Sequence, residues 1–378
     1  MDFQKVKDVW KETWHEEEKC FVPARTSCTV VIPAHNEAEC IVDTVSSILK
    51  QSRLPDLVVV VDDGSSDGTG DLVRQNFKAG VIVLTPLKNL GSKAKAQNFA
   101  LNYKKTDRSF LINTDTVVTI DADTTLKQDA LEKMLVEMDK DPSISVACGT
   151  VIPANPDNPY TLGRLGEYLY AFMFPKAIQN ALGRNIYIAS GCFGCYRLDL
   201  LRKFGGWHET TMAEDMDLTA RFQSMNLKPL YVQNAICYPI EPFNWKTYKA
   251  QMIRWSAAFF QNVSLHWRDY LTKPFGVFVG ASFLDALIGS IEFLLVLPLM
   301  TIFVWGWQKT LLGFLLWDLL PISFFVILGG IRFEKLKEAV LSIPFTFFLR
   351  ILNIFFWWQA LIREWILKKP LTVYVKGH

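Results

Sequence analysis

Three clusters of carboxylates sit where they could meet a ligand. Asp62-Asp63-Gly64-Ser65-Ser66-Asp67-Gly68-Thr69 follows an apolar run over 57–61, Asp121-Ala122-Asp123 follows another over 117–120, and Glu214-Asp215 lies in Met212-Ala213-Glu214-Asp215-Met216-Asp217. A carboxylate at the end of a buried strand is costly unless it binds something. Glycine beside it lets the backbone turn sharply around a ligand. Two carboxylates one residue apart, such as Asp121 and Asp123, can share a divalent ion that also holds phosphate oxygens, and Mg²⁺ and Mn²⁺ take oxygen ligands of this kind. Plainer readings exist for each. The 62–69 segment could be a simple turn, and Asp215 could be a helix N-terminal charge favoured by the dipole ahead of 218–222.

Such residues need a frame that brings strand ends together. Runs at 29–33, 57–61, 81–84, 117–120 and 145–148 read as strands, and 38–51, 92–103 and 126–140 as helices. Continuous apolar runs suit strands buried on both faces. This alternation predicts an α/β fold with a mostly parallel sheet flanked by helices. Sheets of that kind bind ligands at the carboxyl ends of their strands.

The order of the motifs over residues 28–260 resembles the family-2 glycosyltransferases with the GT-A fold. It runs PAHNE (33–37), VDDGSSDGT (61–69), NLGSKAKAQNFAL (89–101), DAD (121–123), SGCFGCYR (190–197), AED (213–215) and QMIRW (251–255). The last two resemble the membrane-bound branch that contains cellulose, chitin, hyaluronan and poly-N-acetylglucosamine synthases. By that resemblance, Pro33, His35 and Glu37, with Asp62 or Asp63, line the nucleotide base and ribose. Lys93 lies near the donor diphosphate. Asp121 faces the nucleotide sugar and Asp123 ligates Mg²⁺ or Mn²⁺. Asp215 is the general base with Glu214 beside it, Arg254 and Gln251 meet the diphosphate, and Gln251 and Trp255 form the acceptor side. The branch's usual Thr-Glu-Asp is Ala213-Glu214-Asp215 here, a departure that bears on acceptor specificity.

Chemistry agrees with these implied roles. Sugar transfer needs a deprotonated acceptor hydroxyl, which a carboxylate base supplies, and a stabilised diphosphate, which a metal and an arginine supply. One base and no carboxylate nucleophile imply inversion at the anomeric carbon. The expected donor is a UDP sugar. The acceptor stays open: QMIRW favours a growing polysaccharide, and the few membrane segments favour a lipid or other single acceptor. A dinucleotide-dependent oxidoreductase is excluded, because PAHNE stands where GxGxxG is required. A nucleotide-sugar-binding subunit without catalysis is the remaining alternative.

Half of the 378 residues are hydrophobic and 21% are charged, with a net charge of +2. That balance excludes nucleic-acid binding by bulk charge. The seven cysteines read as free thiols; Cys192 and Cys195 form a CxxC without a second pair. Phe3, Val6, Trp10 and Trp14 mark an amphipathic helix, packed on its own domain or lying at a membrane interface.

Beyond Pro274, apolar stretches cover 275–307 with Asp285 and Glu292, 311–330 with Asp318, and 339–358 with Arg350. Each nears the roughly 20 residues that cross a bilayer. Trp305, Trp307, Trp357 and Trp358 sit at their ends, as an aromatic belt does. Pro298, Pro321 and Pro344 predict kinks. The basic turn at 331–338 predicts a cytoplasmic position for itself and the catalytic domain. Lys368, Lys369 and Lys376 would then fall outside if the third stretch spans, against the same bias, so that stretch is re-entrant or interfacial, or the rule fails here. The expected organisation is an N-terminal helix (1–27), a nucleotide-sugar domain (28–240), interfacial helices (241–273), about three membrane-embedded helices (274–368) and a tail (369–378). Membrane lipids and a second copy or membrane partner complete the expected contacts.

Overall fold

A computed structural model describes residues 25–304 and 306–372. The expected N-terminal helix of Phe3, Val6, Trp10 and Trp14 lies outside the described residues.

Eight strands form one sheet. In chain order they are β1 (Cys28–Ala34), β2 (Leu57–Asp62), β3 (Val81–Leu84), β4 (Thr116–Ile120), β5 (Thr124–Leu126), β6 (Ile144–Val151), β7 (Phe193–Arg197) and β8 (Lys228–Pro239). Their spatial order is β3-β2-β1-β4-β7-β6-β8-β5. The first four run parallel, with Thr29 opposite Leu57 and Cys28 opposite Thr116. β7 then enters antiparallel between β4 and β6. Four of the seven pairings are parallel, so the sheet is mixed, with its parallel half carrying the first two carboxylate clusters. β1, β2 and β4 are almost wholly buried, which is what their unbroken valine and isoleucine runs require.

The first helices differ from the sequence expectation at their starts. α1 spans Ile41–Leu49 and buries Ile41, Thr44, Val45 and Ile48, one helical face. It begins later than 38 because the Ala38 amide donates to Asp67 in the neighbouring loop. α2 (Thr69–Asn76) follows β2, and α3 (Lys93–Asn102) starts at Ser92, whose hydroxyl accepts from the Lys95 amide. α4 spans Ala130–Lys140. Leu126, expected to open this helix, instead ends β5, which is strand because it pairs with β8, Thr125 opposite Tyr238. Neither β7 nor β8 was expected. In β8 a register shift near Gln233 and Asn234 breaks the alternation that marks a strand.

α5 (Pro159–Met173) opens with a capping box, Asn158 and Thr161, and a proline at its first turn. α6 (Pro175–Ala181), α7 (Leu198–Lys203), α8 (Glu214–Ser224), α9 (Trp245–Leu265) and α10 (Trp267–Thr272) complete the part before the apolar stretches. Those stretches form three long helices, α11 (Gly276–Val304), α12 (Gly306–Arg332) and α13 (Leu336–Ile366). Each is long and apolar enough to cross a membrane, with mean hydropathy of 2.3, 2.3 and 1.9. π-helical turns at Glu292–Val296 and Met300–Val304 flank Pro298, as expected where a proline removes a helical hydrogen bond.

α5 packs on α12 and α13 through small residues. A Cβ on Gly166 would collide with Thr346 and Ser342, and one on Gly329 would press on Leu169 and Met173. Close approach of helix backbones at glycine is how apolar helices pack without a hydrophobic driving force. The sheet domain is therefore seated directly on the apolar helices.

Candidate active site

The first group of expected site residues closes the ends of β1 and β2. The Asp63 amide donates to the Ala34 carbonyl at 2.8 Å, continuing the ladder past the strands. The Asp63 carboxylate is buried and accepts from the Leu90 amide at 2.6 Å and the Gly91 amide at 3.3 Å. It thus shapes the loop that leads into Lys93. Asp62 accepts from the Ser65 amide at 3.1 Å, across Gly64, whose φ of 74° lies in the left-handed region. His35 is exposed, and its Nδ1 lies 2.9 Å from the Asp63 carbonyl, which also accepts from Asn89 at 2.8 Å. Glu37 donates its amide to Thr69 at 2.8 Å, and Pro33 sits opposite Val61. His35, Asn89 and the two aspartates therefore share one loop cluster.

The second group gathers around Lys93, the first residue of α3. Its ammonium pairs with Asp121 at the end of β4, lies 3.6 Å from Glu214, and donates to the Gly191 carbonyl at 3.3 Å. Burial alone would push this ammonium down, but Asp121 and Glu214 outweigh it and hold it well above its usual range. Burial pushes the Glu214 carboxyl up, opposed by Lys93. Asp215 accepts from the Gly191 amide at 2.7 Å through one oxygen and from the Met216 amide at 2.8 Å through the other. Glu214 and Asp215 open α8, where the helix dipole favours negative charge. Asp215 thus sits both at a helix N-terminus and beside Gly191 and Lys93. Gly191 lies in the SGCFGCYR motif, where no role was expected of it, and its two backbone groups tie Lys93 to Asp215.

Asp123 accepts from the Thr124 hydroxyl at 3.0 Å. Asp121 and Asp123 offer hard carboxylate oxygens at one strand end, the donor type that suits Mg²⁺ or Mn²⁺. Among the described residues no three His, Cys, Asp or Glu side chains form a metal-holding group, so an ion here would draw its remaining ligands from phosphate and water.

Gln251, Arg254 and Trp255 lie on α9. The Gln251 side-chain oxygen is buried with no hydrogen-bond partner. The Trp255 indole is 37% exposed and lies 4.6 Å from the Arg164 guanidinium. α9 is tied to the segment just before Glu214: Gln261 accepts from the Met212 amide at 3.0 Å, and Asn262 donates to Thr211 at 3.1 Å. Behind the site, fully buried Asp217 takes bonds of 2.8 Å from both Arg221 and His266. Burial would raise its carboxyl, but His266 and Arg221 hold it below the usual range.

The CxxC cysteines face different partners. Burial pushes the Cys195 thiol up to about 12, and Cys192 neighbours Cys237 instead. The described cysteines are free.

Residues 29–205 match the Glycosyl transferase family 2 profile. The chain is 29% identical over 258 residues to the uncharacterized glycosyltransferase YaiP of Escherichia coli K12, covering 66% of this chain and 60% of the relative. It is 24% identical over 230 residues to poly-beta-1,6-N-acetyl-D-glucosamine synthase of Staphylococcus aureus, covering 60% of this chain and 53% of the synthase. The chain thus spans little more than half the length of these relatives. Its fold is that of the mannosyltransferase PcManGT from Pyrobaculum calidifontis, whose structure is a complex with GDP-Man and Mn²⁺; the TM-score is 0.61 at 19% identity, over 96% of this chain and 95% of that one. The GT-A-like α/β fold is shared.

Proposed function

We propose that this chain, whose residues 29–205 match the Glycosyl transferase family 2 profile, is a membrane-bound, inverting enzyme that moves a sugar from a nucleotide donor to a glycan acceptor. The observation that carries the reading is the convergence of Lys93, Asp121, Glu214 and Asp215 from α3, β4 and α8. It is a cation and three carboxylates at the carboxyl end of the parallel half-sheet, where ligands bind in such folds.

Each residue has a task. Asp62, Asp63 and His35 hold the loops that line the base and ribose. Lys93 meets the diphosphate with a charge that stays on through the neutral range. Asp121 and Asp123 would hold Mg²⁺ or Mn²⁺, which supplies positive charge against the departing diphosphate. Arg254 adds to that charge. Asp215, fixed by two amides, takes the acceptor hydroxyl's proton as its oxygen attacks the anomeric carbon and the nucleoside diphosphate leaves. Gln251 and the exposed Trp255 face receive the acceptor sugar, since an indole suits the apolar face of a pyranose.

The poly-N-acetylglucosamine synthase likeness supports a polymer product, and because a fold neighbour holds GDP-Man the expected UDP sugar is tested beside GDP-mannose. A single transfer to a lipid acceptor is the second reading. It is favoured by the closed seam at Gly166 and Gly329, where α5 meets α12 and α13 without room for a strand of sugar.

The test is nucleoside diphosphate release by detergent-purified protein with a panel of UDP sugars and GDP-mannose, with Mn²⁺ or EDTA. Release with one donor, lost with EDTA and reduced by about 10²–10⁴-fold in Asp215→Asn, is the expected result. An Asp215→Asn protein as active as wild type would sink the assignment of the base. A product ladder distinguishes polymer from single transfer.

A further inference from the structure

The candidate donor site leaves one buried charge cluster unused, under Trp255. Arg164 on α5 is 4% exposed. Its guanidinium lies 4.4 Å from the Tyr168 ring and 4.6 Å from the Trp255 ring. Its Nε donates to Glu241 at 3.1 Å and its Nη1 to Glu167. Tyr168 donates to the other Glu241 oxygen at 2.8 Å. The Arg164 Nη2 has no partner, so two rings and two carboxylates set the cation's place.

The cluster continues into the apolar helices and back. Asn353 on α13 donates to Glu167 at 2.8 Å and accepts from the Tyr248 hydroxyl at 2.7 Å. Tyr248 and Trp255 are two turns apart on α9 and so share a face. The contacts therefore close a ring: Trp255, Arg164, Glu167, Asn353, Tyr248, and α9 again. Buried charge pairs are weak sources of stability, so this cluster is read for what it touches, an indole that is 37% exposed.

We propose that Arg164 is a positioning residue for the acceptor: stacked beneath Trp255 and tied through Glu167 and Asn353 to α13, it sets the indole face on which the acceptor sugar packs. The inference rests on the reading of Trp255 as acceptor-side. It predicts that disturbing Arg164 or Asn353 weakens transfer while leaving donor chemistry alone. A lysine keeps the charge but not the planar fork that stacks between two rings.

The experiment compares full-length wild type, Arg164→Lys and Asn353→Ala in two assays with the radiolabelled donor that supports release. One is nucleoside diphosphate release in detergent without acceptor. The other is incorporation of label into material retained in native membranes. Donor KM and acceptor-free release are expected to stay within about twofold in both variants. Incorporation should fall roughly tenfold in Arg164→Lys, the scale of one lost charge-assisted contact, and less in the milder Asn353→Ala. Incorporation at wild-type level in Arg164→Lys overturns the positioning role, because charge alone then suffices. Release and incorporation falling together in both variants overturns it too, showing a general structural role. A wild-type protein that releases no nucleoside diphosphate with any donor instead overturns the enzyme reading, and with it the premise.

Discussion

At the scale of single residues, Lys93 is the centre of the donor chemistry. Its ammonium pairs with Asp121 and lies near Glu214 and Asp215, and the carboxylates hold it charged. Replacing it with methionine leaves three acids facing the incoming diphosphate. A hydrogen bond to a charged group is worth about 1.5–3 kcal/mol, so Lys93→Met should raise the donor KM by roughly 10–100-fold. Steady-state kinetics with varied nucleotide sugar checks this, and an unchanged KM would remove Lys93 from the donor site. The carboxylates of this group were legible in the sequence because acids at the ends of apolar runs are conspicuous. The tertiary contacts that hold the site's loops were not. Asp63 binds the Leu90 and Gly91 amides, a tertiary contact that no spacing announces. Arg164 and Glu241 are likewise buried partners 77 residues apart, invisible until the chain brings them together.

At the scale of elements, α8 carries the proposed base and is anchored from behind by Asp217. Arg221 on the same helix and His266, between α9 and α10, both donate to it. Asp217→Asn removes the charge that both donors meet. Breaking a buried ion pair by removing one partner costs about 3–5 kcal/mol, so the variant should unfold at a lower temperature at neutral pH. The Asp217 carboxyl is held below its ordinary value. Its contribution is therefore fully present above the unfolded-state value near ~3.9 and fades as pH falls through the lower folded-state value. Thermal unfolding from pH 7 down to 3 should show the wild-type advantage shrinking at the acid end. An advantage that is constant with pH would exclude the charge as its source. Strands β1 to β4 and β6 and helices α1, α3 and α4 were readable from apolar periodicity, while α2, β5, β7 and β8 were not. β5 is three residues long and is strand only because β8 pairs with it. In such short segments tertiary pairing decides between helix and strand.

At the scale of the whole molecule, the third apolar stretch, α13, lies beside the sheet domain at both of its ends. α13 begins beside the catalytic sheet, where Arg332 just before it donates to Asn234 of β8. It ends beside the same domain: Gln261 of α9 donates to Glu364 at 3.2 Å and to the Leu371 carbonyl at 3.0 Å, and Trp365 donates to Ser264 at 2.9 Å. In between it follows α5 and α9 through Thr346 and Asn353. Protein covers 39% of its most apolar stretch, against 11% in α11. A helix whose two ends touch one domain need not carry the chain across a bilayer. We therefore infer that α11 and α12 form the membrane hairpin and that α13 lies along the interface, with the basic residues Lys337, Lys368 and Lys369 all on the domain's side. This satisfies the positive-inside bias that a third crossing would violate. Lys337→Cys and Lys369→Cys place exposed thiols at the two ends. In sealed vesicles with the cytoplasmic face inward, a membrane-impermeant maleimide should label neither until detergent is added, beyond the background of the unsubstituted protein. Labelling of the residue 369 thiol alone in intact vesicles would show that α13 crosses, and labelling of both would reverse the orientation of the catalytic domain.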